Sequence, residues 1–155
     1  MTIRTIALAA FICAAAAGQS PAPYSAVEVD PFVADRTVAL PVDYQSALVD
    51  DVAREISVVF KTAILLREGD AAPFGHAVLR ISGTVIRFKP GNKPKPPLLG
   101  FGATVTTVRA QVRFADASTG QVLLIHEVQG TGESIARKIA KLCAANHLVE
   151  RPKIA

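Results

Sequence analysis

Residues 108–128, VRAQVRFADASTGQVLLIHEV, decide the fold class. The first seven residues alternate apolar and polar side chains, which is the period of a half-exposed β-strand. Asp116–Gly120 is predicted to be a turn, because aspartate hydrogen-bonds to nearby backbone groups and glycine readily adopts a positive φ. Residues 121–128 then return as an antiparallel partner. The stretch therefore predicts a β-hairpin.

A longer strand is predicted before the hairpin, over Ala77–Lys89. Its apolar positions change phase between Ile81 and Ile86, so the two halves of the strand cannot both follow one uninterrupted alternation. We therefore predict a β-bulge near Gly83, since glycine is a common marker of bulges.

Two amphipathic helices frame these strands. Apolar residues at steps of three and four predict a helix that follows Asp43, as its N-cap, and ends at Phe60. The same spacing predicts a second helix, with Ser134 as its cap and Cys143 as the last residue of its apolar face, which ends within residues 146–152.

Shorter apolar runs predict two further strands, over residues 24–33 and 63–66. The predicted order is β, α, β, β, β, β, α. A strand pair framed by helices indicates an α+β fold, with a mostly antiparallel sheet of about five strands and two helices packed on one face.

Residues 1–19 are expected to be a cleaved signal peptide, which leaves residues 20–155 as a single domain. Arg4 precedes an apolar run that reaches Gly18 and ends in small residues, the order typical of secretory signals. The run is shorter than the ~20 residues that span a bilayer as a helix. An uncleaved membrane anchor is the alternative. The predicted location is the periplasm.

Cys13 raises the question of a lipid anchor. Lipidation requires a small residue before the cysteine and usually a leucine three positions before it, whereas this chain has Ile12 and Ala10 there. We therefore do not expect outer-membrane anchoring through Cys13. Cys143 is then the one cysteine of the mature chain, which excludes an internal disulfide, and its apolar helical face predicts that it is buried.

Net charge excludes one class of partner. The chain has 17 lysines and arginines against 13 aspartates and glutamates, a net charge of +4. Without Arg4 the count is 16 against 13, or +3. Such a mild excess is far from the concentrated charge of a nucleic-acid-binding protein. The mature chain also has no other stretch that is long and apolar enough to cross a membrane.

Catalytic and metal-binding patterns are missing from the sequence. His76, His126 and His147 are too far apart to match a local metal motif, and His126 is expected to be a hydrogen-bonded structural residue. There is no G-x-S-x-G elbow, and the carboxylates cluster on a helix face or in the hairpin turn. We predict that the protein is not an enzyme and needs no cofactor or metal.

The predicted partner-binding residues are Lys89, Lys93, Lys95, Arg109 and Arg113. The three lysines are separated by prolines in the segment Lys89–Pro97, which keeps them exposed. The two arginines share one face of the following strand and would extend the same basic patch, together with Arg80 or Arg87. An anionic envelope component or an unknown envelope protein would be the partner. A solvated hairpin loop is the alternative.

Several short motifs spread over the mature chain carry a family resemblance: Leu79–Gly83, Gly91-Asn92, Leu99–Gly102, Phe114–Leu123 and the helix pairs Ile135-Ala136 and Ile139-Ala140. In these motifs the chain resembles an uncharacterised domain family of small bacterial envelope proteins, many of them lipoproteins. The family is similar in architecture to the periplasmic domains of curli-secretion and cell-wall-synthase-activator lipoproteins. The resemblance implies binding and assembly and not catalysis.

The sequence thus favours a non-catalytic envelope module that binds or assembles with an unknown partner, through a sheet edge or the basic loop. A small-molecule or lipid carrier is the first alternative, and an envelope enzyme is the second. A cavity lined by Leu48, Ile56, Ile81 and Leu142 would favour the carrier, whereas a filled core there would favour the docking module. A cleft that joins His126 to a carboxylate would favour the enzyme.

Overall fold

The structure, a computed structural model, describes residues 23–91 and 105–151. It confirms the predicted α+β fold. The elements, in chain order, are β1 (Ala26–Val29), β2 (Val33–Ala34), α1 (Val42–Val59), β3 (Ile64–Arg67), β4 (Val78–Lys89), β5 (Thr107–Asp116), β6 (Val122–Gly130) and α2 (Gly132–Ala145).

The strands form one mixed sheet in the order β3-β1-β4-β5-β6. The predicted hairpin is present, because β5 pairs with β6 in antiparallel fashion and β4 pairs with β5 in the same way. The N-terminal side differs from a purely antiparallel sheet, since β1 runs parallel to both β3 and β4. The helix α1 supplies the crossover that two neighbouring parallel strands require.

Both helices pack on one face of the sheet. The buried stripe of α1 faces β1 and the buried stripe of α2 faces β5 and β6, and the two helices also contact each other. The helix residues buried in this core are Leu48, Val52, Ile56, Ile135, Ala136, Ile139, Ala140 and Cys143. Cys143 is a free and fully buried thiol, and burial raises its pKa to about 12. The prediction that it is buried is confirmed.

The bulge in β4 lies between Val85 and Arg87, so the predicted position near Gly83 is wrong. Val85 keeps the phase of Ile81 and is fully buried, which means that the alternation slips only after it. Glycine is required at position 83 for a different reason, because a Cβ atom there would overlap the aromatic ring of Phe32. The ring occupies the space that any larger residue at position 83 would need.

Both predicted helix caps are also wrong. The helix α1 begins at Val42 after Pro41, with no side-chain capping bond, and Asp43 lies within its first turn. The helix α2 begins at Gly132, and the hydroxyl of its cap, Thr131, accepts a hydrogen bond from the backbone N–H of Ser134. Ser134 is therefore the donor in the capping bond. An aspartate stabilises a helix both as its N-cap and within its first turn. The sequence alone therefore does not tell which of these two positions Asp43 occupies.

Some predictions fall outside the described residues. These are the signal peptide over residues 1–19, Cys13, and the loop lysines Lys93 and Lys95. Within the described ranges, neither helix is long and apolar enough to cross a membrane.

Candidate functional site

The face of the sheet that points away from the helices carries the candidate site, and we call it the open face. Residues directly opposite each other in an antiparallel pair lie on the same face. The register of β4, β5 and β6 therefore gives its members: Arg80, Ser82, Thr84, Arg87, Lys89, Thr107, Arg109, Gln111, Arg113, Ile125, Glu127 and Gln129.

Four exposed cations of the open face, which we call the basic strip, extend from the end of β4 back along β5 to the position opposite Ser82: Arg87, Lys89, Arg109 and Arg113. Arg87 lies directly opposite Arg109 in the register of the two strands. Like charges in directly opposed positions destabilise a sheet. The bulge after Val85 shifts the alternation of the last residues of β4 by one position, and this shift brings Arg87 to the open face.

Carboxylates neutralise only part of the basic strip. Arg109 forms an ion pair with Glu127 of β6. Within the described residues, neither Arg87 nor Arg113 has an acidic group within salt-bridge distance. Every aspartate and glutamate of the chain lies in those residues. The strip therefore keeps an excess of positive charge that no side-chain carboxylate offsets.

The structure places three of the five predicted binding residues on the open face. Lys89 and Arg109 lie toward the end of β4, whereas Arg113 lies opposite Ser82, roughly 20 Å from Lys89 at ~3.3 Å per residue. The bulge after Val85 adds Arg87, opposite Arg109. Arg80 lies on the same face at the other end, near the start of β4, where its Nε donates to Glu28 at 3.1 Å.

That other end of the open face is an acidic cleft, which we define by Glu28, Asp30, Glu68 and Asp70 around Arg80. It encloses a cavity of about 490 Å³. Glu28 is 7% exposed. Arg80 also approaches Asp30 at 3.7 Å. Burial, and then the negative charge of Glu28, raise the pKa of Asp30, whereas the guanidinium of Arg80 acts in the opposite direction.

The sequence alone did not reveal this cleft. Its acidic residues come from two segments about forty positions apart in the chain, and only the parallel pairing of β1 with β3 places the ends of those segments side by side. Parallel neighbours finish at the same edge of a sheet. The signal that could have found the cleft is the pair of carboxylates at the end of each strand, Glu28 with Asp30 and Glu68 with Asp70.

The region proposed for a carrier cavity is filled by side chains. Leu48, Ile56 and Ile81 are buried in the core, and Leu142 packs against it. A different groove, of about 730 Å³, lies on the helix side of the sheet between α1 and β3. Val49 and Leu65 are among its lining residues, so its walls are partly apolar.

The histidines are dispersed. His126 is exposed on β6, and Glu127 beside it belongs to the open face, where it pairs with Arg109. The prediction of a hydrogen-bonded His126 is not supported by any hydrogen bond in the described residues. His76 contacts the hydroxyl of Ser25 through its Nδ1 at 2.9 Å, a pairing that the sequence did not reveal. Residues 23–91 and 105–151 hold no group of three or more potential metal ligands.

Comparison with protein families gives one match. The family model described as a domain of unknown function, DUF4410, covers residues 35–136, more than half of the chain. The match confirms the resemblance to an uncharacterised domain family. No curated protein matches the chain.

Solved structures share the fold. A point variant of PelC from Paraburkholderia phytofirmans, solved as a dodecamer, has 16% sequence identity and a TM-score of 0.52 over 84% of this chain and 93% of its own. The DUF330 protein XCC0632 from Xanthomonas campestris has 11% identity and a TM-score of 0.56 over 80% of this chain and 85% of its own. At these identities the similarity establishes the fold alone.

Proposed function

Because the chain belongs to the DUF4410 family, whose function is unknown, we propose a function from the geometry of this member. It is a non-catalytic assembly module of the bacterial cell envelope, and it docks onto an acidic protein surface through its basic strip. Arg87, Lys89, Arg109 and Arg113 make the contact, with Lys93 and Lys95 of the adjoining loop outside the described residues.

The observation that carries this proposal is the direct opposition of Arg87 and Arg109 on an exposed sheet face. Such a pair costs stability in the isolated domain. The cost is removed when an acidic surface covers the two guanidinium groups, which can each form bidentate bonds to a carboxylate. Arg113, on the same strand as Arg109, adds a third guanidinium that lacks an acidic partner among the described residues.

Two further points support an assembly role. PelC, which shares the fold, is itself found as a dodecamer. The core region around Leu48, Ile56 and Ile81, where a cavity would have favoured a carrier, is filled with side chains, which favours docking over ligand transport.

The location in the envelope is part of the proposal. We propose that residues 1–19 are removed on export and that the domain acts in the periplasm. N-terminal sequencing of the exported protein should then begin between Gly18 and Pro21. A chain that keeps Met1 in the membrane fraction would contradict this.

Site-specific crosslinking tests the docking surface. A photo-crosslinking residue at Gln111, in the middle of the open face, should capture an envelope protein in living cells. The same probe at Val58, which is 61% exposed on the helix side, should capture little. The substitutions Arg87→Gln and Arg113→Gln together should abolish capture from position 111, because they remove two guanidinium groups that have no acidic partner among the described residues.

The matched control removes the same charge elsewhere. Lys61→Gln with Lys141→Gln deletes two exposed lysines that lie away from the open face, and capture from position 111 should persist. Equal capture from positions 58 and 111, or capture that ignores the loss of Arg87 and Arg113, would show that the basic strip is not the docking surface.

A small-molecule or lipid carrier is the second candidate, favoured by the groove between α1 and β3. Its volume lies in the range of small-molecule sites. A fluorescent fatty acid should then bind, and Ala53→Trp, which fills the groove from α1, should prevent binding. A fatty acid that binds the two proteins equally, or neither of them, would exclude this groove as a carrier site.

A further inference from the structure

We propose that the acidic surface docked by the basic strip belongs to a second copy of this chain, and that it is the acidic cleft at the other end of the open face. This inference rests on the proposed function and names its partner. Two copies stack open face to open face, so that each basic strip covers the acidic cleft of the other copy.

The charges of the acidic cleft and the basic strip are equal and opposite. The cleft holds four carboxylates, Glu28, Asp30, Glu68 and Asp70, against the single guanidinium of Arg80, a net charge of −3. The basic strip holds four cations against the single carboxylate of Glu127, a net charge of +3. Opposed patches of this kind steer association and fix the register of an interface.

The geometry predicts a closed assembly of two copies, a two-fold dimer. Arg80 and Arg87 lie on the same face and mark the cleft and the strip. Their partners on β5, Ala115 and Arg109, are six residues apart because of the bulge, which separates the two arginines by roughly 20 Å at ~3.3 Å per residue, with Arg113 between these two levels. A two-fold axis between the stacked faces, perpendicular to the line from cleft to strip, places each end of one copy over the opposite end of the other. A single isologous contact therefore satisfies both ends, and two-fold dimers are the commonest closed assemblies.

An exposed aromatic residue lies in the loop that borders the cleft. Phe74 is fully exposed and lies in the segment between Gly69 and Ala77, which supplies several of the cleft's lining residues. Gly75 follows it with a φ of +79°, which turns the chain sharply at this point. Aromatic residues next to charged groups are typical anchors of protein interfaces, so the loop adds an apolar contact to the ionic one.

Oligomeric state in solution tests the inference with the purified mature chain. Light scattering coupled to gel filtration should show a dimer at low ionic strength and a monomer at about 1 M salt, where screening acts over only ~3 Å. Phe74→Ser should shift the equilibrium toward monomer without lowering the unfolding temperature, since the side chain makes no buried contact in the isolated domain.

Charge reversal at each end provides the sharper test. Arg87→Glu with Arg113→Glu changes the basic strip from +3 to −1, and Asp30→Lys with Glu68→Lys changes the cleft from −3 to +1. Each variant alone should be a monomer, because its two ends then carry the same sign. An equimolar mixture should form a heterodimer, since both contacts are again between opposite charges.

If Asp30→Lys impairs folding, Glu68→Lys serves as a second cleft variant, because Glu68 is exposed. Glu68→Lys alone should weaken the dimer. Thermal unfolding of each variant distinguishes loss of contact from loss of fold. A wild-type protein that stays monomeric at low salt, or a mixture that fails to pair while both folded variants are monomers, overturns the inference.

Crosslinking in cells separates this inference from the proposed function. A product from position 111 with the mass of two chains supports the second copy as partner. A product that joins the chain to a different protein, and that is lost with Arg87→Gln and Arg113→Gln, keeps the docking function and overturns the self-association.

Discussion

Gly83 is the residue at which the sheet depends most on the lack of a side chain. The ring of Phe32 is fully buried and occupies the position that a Cβ atom at residue 83 would take. We expect Gly83→Ala to destabilise the protein by about 1–3 kcal/mol, the usual cost of overpacking a core. Urea denaturation followed by circular dichroism measures the change.

A neighbouring strand position and a double variant control this prediction. Ser82→Ala, one residue away on the open face, should change the free energy of unfolding by less than about 0.5 kcal/mol. The added cost of Gly83→Ala should shrink when Phe32 is replaced by alanine, since the clash is then removed. Additive effects of the two substitutions would contradict the contact.

Asp116 at the hairpin turn makes stability depend on pH. A hydrogen bond from the hydroxyl of Ser118 lowers the pKa of Asp116 to about 2, and the backbone N–H of Thr119 and the hydroxyl of Tyr24 also donate to it. Because the folded pKa lies below the unfolded one, this stabilisation is present above about pH 4 and lost as the pH falls through 2.

Substitution at Asp116 should reveal that pH dependence. We expect Asp116→Asn to destabilise the protein at neutral pH and to approach wild-type stability as the pH falls from 4 to 2. Tyr24→Phe removes one donor and should cost about 0.5–1.5 kcal/mol. A destabilisation by Asp116→Asn that stays constant over that pH range would show that the charge of the carboxylate has no part in the effect.

Among the elements, α2 begins with a side-chain cap and α1 begins without one. The hydroxyl of Thr131 accepts a hydrogen bond from Ser134 at 3.2 Å. We expect Thr131→Ala to lower the free energy of unfolding by about 1 kcal/mol, whereas Thr131→Ser, which keeps the acceptor, should be nearly neutral. Equal losses in the two variants would assign the effect to the methyl group instead of the cap.

The sequence predicted the elements better than their ends. Steps of three and four located both helices, and alternation located β4, β5 and β6. The predicted position of the bulge is wrong because Gly83 makes room for the ring of Phe32, about fifty residues away in the chain, and does not mark a local irregularity. Local patterns cannot report such a contact. The caps failed for a related reason, since several polar residues near each helix start could satisfy the same backbone groups.

At the scale of the molecule, the basic half of the candidate site was predictable and the acidic half was not. Arg109 and Arg113 share a face by strand alternation alone. Arg87 opposite Arg109 depends on the bulge, and the cleft depends on the parallel pairing of β1 with β3. Parallel neighbours are joined over long stretches of chain, so their alignment follows from the packing of α1 and not from any local motif.

The strand β1 links the two parts of the sheet. The family match begins after this strand, at residue 35. Every residue of β1 is buried, and it lies between β3 and β4 in the sheet. Without it, these two strands would face each other across a gap of roughly 10 Å, twice the usual strand spacing. Val27 and Val29 of β1, together with Phe32 in the segment that follows it, stabilise the fold by roughly 4.5–9 kcal/mol at 1.5–3 each, which is comparable with the total stability of a typical domain.

We therefore expect residues 23–151 to unfold cooperatively on heating and residues 35–151 to lack a folded core. Circular dichroism and the dispersion of amide signals in NMR spectra measure the difference. The backbone N–H of Tyr24 also donates to Leu148 at 2.8 Å, and that of Glu150 donates to Tyr24 at 2.9 Å, so the shorter chain loses the contact between its two ends as well. A peptide of residues 23–34 added in trans should restore part of the structure. If residues 35–151 melt cooperatively near the temperature of the longer chain, β1 is an accessory strand and the core is complete without it.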